Sequence, residues 1–175
     1  MDDVVNFDAI DPSDADALRK ALIDQMAYLV EEVEALKTVV ETVPESVQSG
    51  RPTPNDLTMK EIYGVLATLD RDVRPGQIRQ VASGDAPSLA TPDPDALVRD
   101  QGWNARDIAA ILDAVQDARR TLVDRLRDLP ADAWSAPATY DGDAVTLAAL
   151  LHRYAKADME RLRTLGYRLH DADLS

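Results

Sequence analysis

The apolar residues of this chain recur at intervals of three and four positions in four separate segments. In the first segment the apolar positions are Leu18, Leu22, Met26, Leu29, Val33, Leu36 and Val40. Since an α-helix has 3.6 residues per turn, this spacing puts all these side chains on one helical face. Three later segments show the same pattern, and no alternating apolar run indicates a β-strand. Four such faces can be buried only against one another, so the sequence predicts an all-α four-helix bundle.

Capping and helix-breaking residues set the boundaries of the first two predicted helices. Ser13, with an acidic residue three positions later, is the predicted N-cap of the first helix, and Pro44 ends that helix. Thr58 and Glu61 form the T-x-x-E pattern of a capping box, which starts the second helix. The Pro75-Gly76 pair (residues 75–76) then breaks or kinks it. The predicted helices cover 14–43 and 58–73, with a short extension over 77–82.

Similar signals delimit the third and fourth helices. Asn104 and Asp107 start the third predicted helix, and Thr146 caps the fourth. Gly166 stands where a C-cap residue would end the fourth helix. The predicted ranges are 105–129 and 146–165. The loops between the four helices are long for a simple up-and-down bundle, so we expect a single domain over 1–175 in which at least one loop crosses over the bundle end.

The charge composition limits the classes of partner. Asp and Glu number 32 against 19 Lys and Arg, which gives a net charge of −13, and short Asp side chains dominate the acids. This net field repels polyanions, so we expect neither nucleic-acid binding nor binding to an anionic membrane surface. A similar Asp-rich composition occurs in proteins of salt-accumulating cells, and a simple solubility preference is the alternative explanation. Neither explanation describes an activity.

Further classes are excluded by what the sequence lacks. The chain contains no cysteine, which excludes a disulfide framework, a thiol nucleophile and a Cys-ligated metal site. No fully apolar run is longer than the one from Leu147 to Leu151, which is far shorter than the ~20 residues that span a bilayer. Met1-Asp2-Asp3 (residues 1–3) is acidic where a secretory signal would be basic, so we expect a cytoplasmic protein.

Several motifs, in their order along the chain, resemble one family. The segment 57–66 (Leu-Thr-Met-Lys-Glu-Ile-Tyr-Gly-Val-Leu) is similar to the family pattern Trp-Ser-x-Lys-Glu-Ile-x-x-His-Leu. The segment 100–106 (Asp-Gln-Gly-Trp-Asn-Ala-Arg) resembles the family's start of helix three, and 129–134 (Leu-Pro-Ala-Asp-Ala-Trp) resembles its Leu-x-x-Glu/Asp-x-Trp turn. The segment 145–147 begins the last helix as in the family. Together these motifs resemble the DinB-like, YfiT-like superfamily of four-helix bundles, which is unrelated to the DNA polymerase.

The resemblance also implies a metal site that this chain lacks. Members of the family bind a divalent metal through three histidines, one on helix two and two spaced by four on the last helix. Here those positions hold Val65, Ala157 and Arg161, and the chain has two histidines in all, His152 and His170. We therefore expect no metal and no other cofactor, and the metal-dependent chemistry of the family does not transfer. A weak metal site made by Asp70 with Asp158 stays an alternative.

Arg161 is the substitution with the clearest consequences. An inward-facing arginine needs a partner. In one interpretation Arg161 and Tyr154 line the cavity that the metal would fill, together with Val65, Asp70 and Ala157, and bind an anionic molecule. In the other, Arg161 extends to the bundle end or pairs with an acid such as Asp70, which would bridge the helices as the metal does.

Three functions follow from these interpretations. The first is a metal-free protein that binds a small anionic molecule and has a stress-related role. The second is a metal-independent enzyme of the S-transferase, isomerase or hydrolase type that uses tyrosine, aspartate or His152 as acid–base groups. The third is a structural protein that acts as a homodimer, as the resemblance suggests.

Overall fold

The computed structural model describes residues 14–173, and the predicted N-cap Ser13 and the acidic residues 1–3 lie outside this range. Within it, three short strands accompany the helices. The helices are α1 (Ala15–Thr42), α2 (Glu45–Gln48), α3 (Met59–Thr68), α4 (Arg74–Ala82), α5 (Pro94–Val98), α6 (Ile108–Arg127) and α7 (Leu147–Asp173). The strands are β1 (Ser88–Leu89), β2 (Pro137–Tyr140) and β3 (Asp143–Thr146).

The four long helical units form the predicted bundle. These units are α1, α6, α7 and the continuous pair α3–α4. Helix α6 packs against α1 and α3, and α7 packs against α1, α3 and α4. The apolar stripe of α1 is buried at Leu22, Met26, Leu29, Val33 and Val40. The all-α four-helix bundle predicted from the periodicity is therefore confirmed.

The second helical unit continues through Pro75, where the sequence predicted an interruption. A π-helical turn over Leu69–Val73 joins α3 to α4, and the amide of Arg74 donates to the carbonyl of Leu69, five residues earlier. Proline lacks an amide, and its ring conflicts with the carbonyl four residues before it in a regular α-helix. The wider turn relieves this conflict, so the helix passes the proline without ending.

The capping box at the start of α3 forms as predicted, but two other helix boundaries differ. The hydroxyl of Thr58 accepts from the Glu61 amide, and the Glu61 carboxylate accepts from the Thr58 amide. Helix α6 begins later than predicted, at Ile108 with Asp107 as its N-cap, because Asn104 lies in a preceding 3₁₀ turn. Helix α7 runs past Gly166 to Asp173.

The continuation of α7 beyond Gly166 has a packing cause. Leu165 is buried and Leu169 packs on the same apolar cluster, so ending the helix at residue 166 would remove Leu169 from the core. Burial of this side chain outweighs the ~1 kcal/mol by which glycine disfavours a helix relative to alanine.

The three strands correct the expectation of a chain without β-structure. Strand β2 pairs antiparallel with β3, through a two-residue turn at Asp141 and Gly142, whose φ values of 52° and 87° are those of a hairpin turn. Strand β1 pairs parallel with β2. The small sheet lies against α7 and ties the α4–α6 connection to the α6–α7 connection.

The apolar core is divided into two clusters along the bundle axis. One contains Met26, Ile78, Leu122 and Tyr154, and the other contains Leu29, Leu69, Val115 and Leu165. Each of the four helical units contributes one of these residues to each cluster. On every unit the two residues lie within about three helical turns of each other. Buried charged side chains lie between these two residues on α6, α7 and the α3–α4 pair. None of the helices within 14–173 is long and apolar enough to cross a membrane.

Gly64 is required by the close approach of Trp103 to α3. A Cβ atom added at Gly64 would lie 2.6 Å from Cδ2 of the Trp103 indole. We expect Gly64→Ala to lower the free energy of unfolding by about 1–3 kcal/mol, because the buried indole has to move. The matched control is Gly166→Ala on α7, where nothing lies within 4 Å. This change is expected to raise stability by about 0.5–1 kcal/mol. Urea unfolding of both variants checks the prediction, and equal effects would contradict it.

Candidate functional site

Four charged side chains meet between the two apolar clusters. Asp70 comes from the π-helical turn, Arg74 from the start of α4, Arg119 from α6 and Asp158 from α7, and all four residues are at most 3% exposed. We call these four residues the ionic cluster. Each lies between members of the two apolar clusters on its own helix, so the ionic cluster forms a charged layer across the bundle.

In the ionic cluster each arginine donates short hydrogen bonds to both aspartates. Arg74 donates from Nη1 and Nη2 to the two carboxylate oxygens of Asp158, each at 2.8 Å, and from Nη1 to Oδ1 of Asp70 at 2.8 Å. Arg119 donates to Asp70 at 2.5 Å and to Asp158 at 2.6 Å. Its Nη1 also donates to the carbonyl of Met26 on α1 at 3.0 Å. The cluster thereby connects all four helical units.

Charge compensation favours the ionised forms of Asp158 and Arg74. Burial opposes the charge of Asp158, but the guanidinium groups of Arg74 and Arg119 outweigh it and lower the pKa of Asp158 to about 2. Burial also opposes the charge of Arg74, and Asp158 and Asp70 raise the pKa of Arg74 above its usual value. Two carboxylates and two guanidinium groups make the ionic cluster neutral.

Arg161 adds a third guanidinium group to this balance. Its Nη1 lies 3.4 Å from Oδ1 of Asp158, and its side chain is 19% exposed. Within the described residues Asp158 is the one carboxylate that pairs with Arg161, and it already accepts from Arg74 and Arg119. Burial lowers the pKa of Arg161, and Asp158 opposes this shift without overcoming it. The ionic cluster and Arg161 together therefore carry a surplus charge of +1.

The surplus charge lies at the wall of a cleft of about 370 Å³, which we call the first cleft. It is formed by the π-helical turn, α4, the segment after β1, β2 and α7. Its lining residues are Leu69, Arg74, Gln77, Thr91, Pro92, Tyr140, Asp141, Arg153, Tyr154, Lys156, Ala157, Glu160 and Arg161.

Tyr154 is fixed in the first cleft by three neighbours. Its hydroxyl donates to Oε1 of Gln77, and the guanidinium of Arg74 lies 4.7 Å from its ring centroid. The ring of Tyr140 meets it edge to face, with centroids 6.3 Å apart. Burial raises the pKa of Tyr154 above its usual range, and Arg74 opposes this shift. Tyr154 therefore acts as a hydrogen-bond donor and is not poised as a base near neutral pH.

A second cleft, of about 220 Å³, lies further along α7. Its lining residues are Leu57, Ile62, Val65, Pro94, Arg161, Thr164 and Arg168. Arg168 donates from Nη1 to the carbonyl of Leu57. Arg161 lines both clefts, so the residue that carries the surplus charge is part of the wall of each.

The structure brings together part of the cavity predicted from the sequence. Tyr154, Ala157 and Arg161 line the first cleft, whereas Val65 lines the second. Asp70 is buried in the ionic cluster and lines neither. Arg161 pairs with an acid, as one of the two interpretations expected, but this acid is Asp158 and not Asp70, whose carboxylate is occupied by Arg74 and Arg119.

Two central residues of the site, Arg74 and Arg119, were not predicted. Arg119 follows Val115 by four positions and precedes Leu122 by three, so it interrupts the buried stripe of α6. Arg74 follows Asp70 by four positions on the same helical face. A charged residue at a stripe position is the sequence signal for such burial, but it does not identify the partner. His152, one of the acid–base candidates of the second function, is exposed and lines neither cleft.

The residues present do not fit the divalent metal that the family resemblance implies. Val65, Ala157 and Arg161 supply no donor atom with a lone pair for a cation. Asp70 and Asp158, the alternative pair, already accept hydrogen bonds from two arginines, whose positive charges would repel a metal ion. Between residues 14 and 173, no group of three or more His, Cys, Asp or Glu side chains is arranged to hold a metal.

Comparisons with known proteins place the chain by its fold. No family model and no curated protein matches the sequence. Among solved structures the chain is similar to YfiT from Bacillus subtilis, described as a probable metal-dependent hydrolase with an unusual four-helix bundle topology. The match covers 90% of this chain and 91% of YfiT, with 16% identity and a TM-score of 0.63. The predicted resemblance is thus confirmed at the level of structure: the chain has the YfiT-like four-helix-bundle fold.

Proposed function

We propose that this protein binds a small anionic molecule in the first cleft, without a divalent metal, and that Arg161 is the main partner of the anion. The supporting observation is the surplus positive charge of Arg161 beside the neutral ionic cluster. A partly buried guanidinium with one shared carboxylate at 3.4 Å retains donors for an anion, and charge-assisted hydrogen bonds are about twice as strong as those between neutral groups.

The surroundings of Arg161 support an anionic ligand over a cationic one. Lys156 and Arg153 line the same cleft, although Arg153 also pairs with Asp143 at 3.0 Å. Of the two acids in the lining, Asp141 accepts from Thr91, and Glu160 pairs with Arg163. The net charge of −13 opposes an approaching anion at long range, but salt screens this repulsion beyond about 8 Å, and the contacts in the cleft decide binding.

The YfiT comparison provides a second candidate function. YfiT is described as a probable metal-dependent hydrolase, and a hydrolase that works without a metal would need a group in the cleft with a pKa near neutrality. The hydroxyl of Tyr154 is tied to Gln77 and has a raised pKa, and His152 lies outside both clefts. We therefore place anion binding ahead of catalysis. Homodimer formation stays a separate prediction, which light scattering of the purified protein tests.

Acetate, a small monoanion, tests the proposed function. We expect acetate to raise the Tm of the chelator-treated protein. In calorimetric titrations Arg161→Gln should weaken acetate binding by about 10–100-fold, because a hydrogen bond to a charged group contributes about 1.5–3 kcal/mol. The matched control is Arg120→Gln on α6, because Arg120 is exposed, pairs with Asp117, and neither of these two residues lines a cleft. This variant should bind acetate as the natural protein does.

Two further readouts accompany this titration. Arg161→Gln removes the surplus charge, so its Tm without ligand should equal or exceed that of the natural protein. An unchanged or higher Tm shows that the variant is folded and that the weaker titration reports lost binding. Elemental analysis of the same samples should give far less than one divalent metal per chain. Equal acetate affinity in Arg161→Gln, or one tightly bound metal per chain whose removal lowers the Tm, would contradict the proposal.

A further inference from the structure

The two clefts lie along one face of α7 and share Arg161 in their linings, and we call this face the path. Tyr154, Ala157, Arg161, Thr164 and Arg168 follow one another at steps of three and four positions, which places them on one helical face. The first two line the first cleft, the last two line the second, and Arg161 lines both. From residue 157 to residue 164 the path covers about 10 Å, at 1.5 Å per residue.

The far end of this path is apolar. Leu57, Ile62, Val65 and Pro94 form most of the second cleft, and Ile62 and Val65 are buried members of the core. Its volume of about 220 Å³ exceeds the ~150 Å³ of an engineered apolar cavity that binds benzene. A short alkyl chain or one aromatic ring therefore fits the second cleft.

The second arginine of this cleft is held by a backbone contact. Burial lowers the pKa of Arg168, and the negative charges of Asp56 and Glu61 oppose that shift without overcoming it. Its Nη1 also donates to the carbonyl of Leu57. Arg161 shares its single carboxylate with two other arginines and lines both clefts, so it places a positive charge at the edge of the apolar second cleft.

We infer that the ligand is an amphipathic monoanion, whose carboxylate or similar acid group contacts Arg161 and whose hydrocarbon part lies in the second cleft over Val65. This inference rests on the proposed function and adds the class of ligand, a monocarboxylate with a short alkyl or aryl tail. An apolar tail in the second cleft also covers Arg161 from water, which strengthens its bond to the acid group.

A comparison of hexanoate with acetate tests the inference. Hexanoate has four more methylene groups, and each methylene that becomes buried is expected to tighten binding about fourfold. Calorimetric titration should therefore give an affinity on the order of 100-fold higher for hexanoate than for acetate. Arg161→Gln should weaken the binding of both.

A blocking variant tests where the tail lies. Thr164 is exposed and lines the second cleft, and Thr164→Trp should fill that cleft and reduce the affinity for hexanoate to about the affinity of the natural protein for acetate. The matched control is Thr121→Trp on α6, because both threonine hydroxyls donate to the carbonyl four residues earlier and Thr121 lines neither cleft.

The results separate the inference from the proposed function. Equal affinities for acetate and hexanoate, both lost in Arg161→Gln, would overturn the inference and leave the proposed function intact. Tight hexanoate binding that Thr164→Trp does not weaken would also overturn the inference. Binding of neither probe would overturn the proposed function itself.

Discussion

Asp158→Asn is expected to lower the free energy of unfolding by about 3–5 kcal/mol, the cost of removing one partner from a buried ion pair. Asp158 accepts hydrogen bonds from Arg74 at 2.8 Å and from Arg119 at 2.6 Å, and it pairs with Arg161. Without its charge, the carboxylate of Asp70 alone would compensate the buried Arg74 and Arg119, and Arg161 would lose its carboxylate partner.

Chemical unfolding of purified variants measures this effect. The matched control is Glu160→Gln, which removes an acid two residues away on α7 whose pair with Arg163 is exposed on both sides. This control should change stability by less than about 1 kcal/mol, because exposed ion pairs contribute little. A loss below about 1 kcal/mol in Asp158→Asn would show that the ionic cluster does not hold the four helices together.

Acid should destabilise the protein through the same carboxylate. The folded-state pKa of Asp158 is lowered from 3.8 to about 2, so the unfolded chain binds a proton more readily than the folded chain does. The stabilisation is therefore fully present above about pH 4 and is lost as the pH falls toward 2, and it amounts to about 2 kcal/mol. The charged groups that face Asp158 are Arg74, Arg119 and Arg161, with Asp70 beyond them.

Unfolding free energies measured between pH 5 and pH 2 check this expectation. The natural protein and Glu160→Gln should lose stability with a similar steep dependence on pH. Asp158→Asn has no titrating group at this position, so its dependence should be shallower. The same acid dependence in all three proteins would assign the effect to other carboxylates of this Asp-rich chain.

The bundle was predictable because its signal is local. A stripe such as that of α1 is visible within one segment, and a helix that exposes seven apolar side chains must pack against other helices. The capping box at Thr58 and Glu61 is equally local, since both hydrogen bonds form within four residues. These features require no knowledge of the rest of the fold.

The features that the sequence did not predict depend on long-range contacts. Strand β2 has four residues, begins with proline, and is stabilised by pairing with both β1 and β3. The end of α7 is set by the core around Leu165 and Leu169, which overrides the local preference of Gly166. In both cases tertiary packing decides between local alternatives.

The candidate site was predictable in position but not in partners. The positions of Tyr154, Ala157 and Arg161 on one face of the last helix follow from their spacing, and they do line one cleft. The pairing of Asp70 with Arg119, 49 residues away, and of Arg74 with Asp158, 84 residues away, requires the packed bundle. The surplus charge of Arg161 becomes visible only when these pairs are known.

The most direct test of the account is the position of a bound anion in the folded protein. Crystals of the chelator-treated protein in bromide would locate this monoanion by its anomalous scattering. We expect a bromide site in contact with the Arg161 guanidinium at the junction of the two clefts, and its loss in Arg161→Gln. Bromide confined to other arginines and lysines of the surface, with none at Arg161, would contradict it.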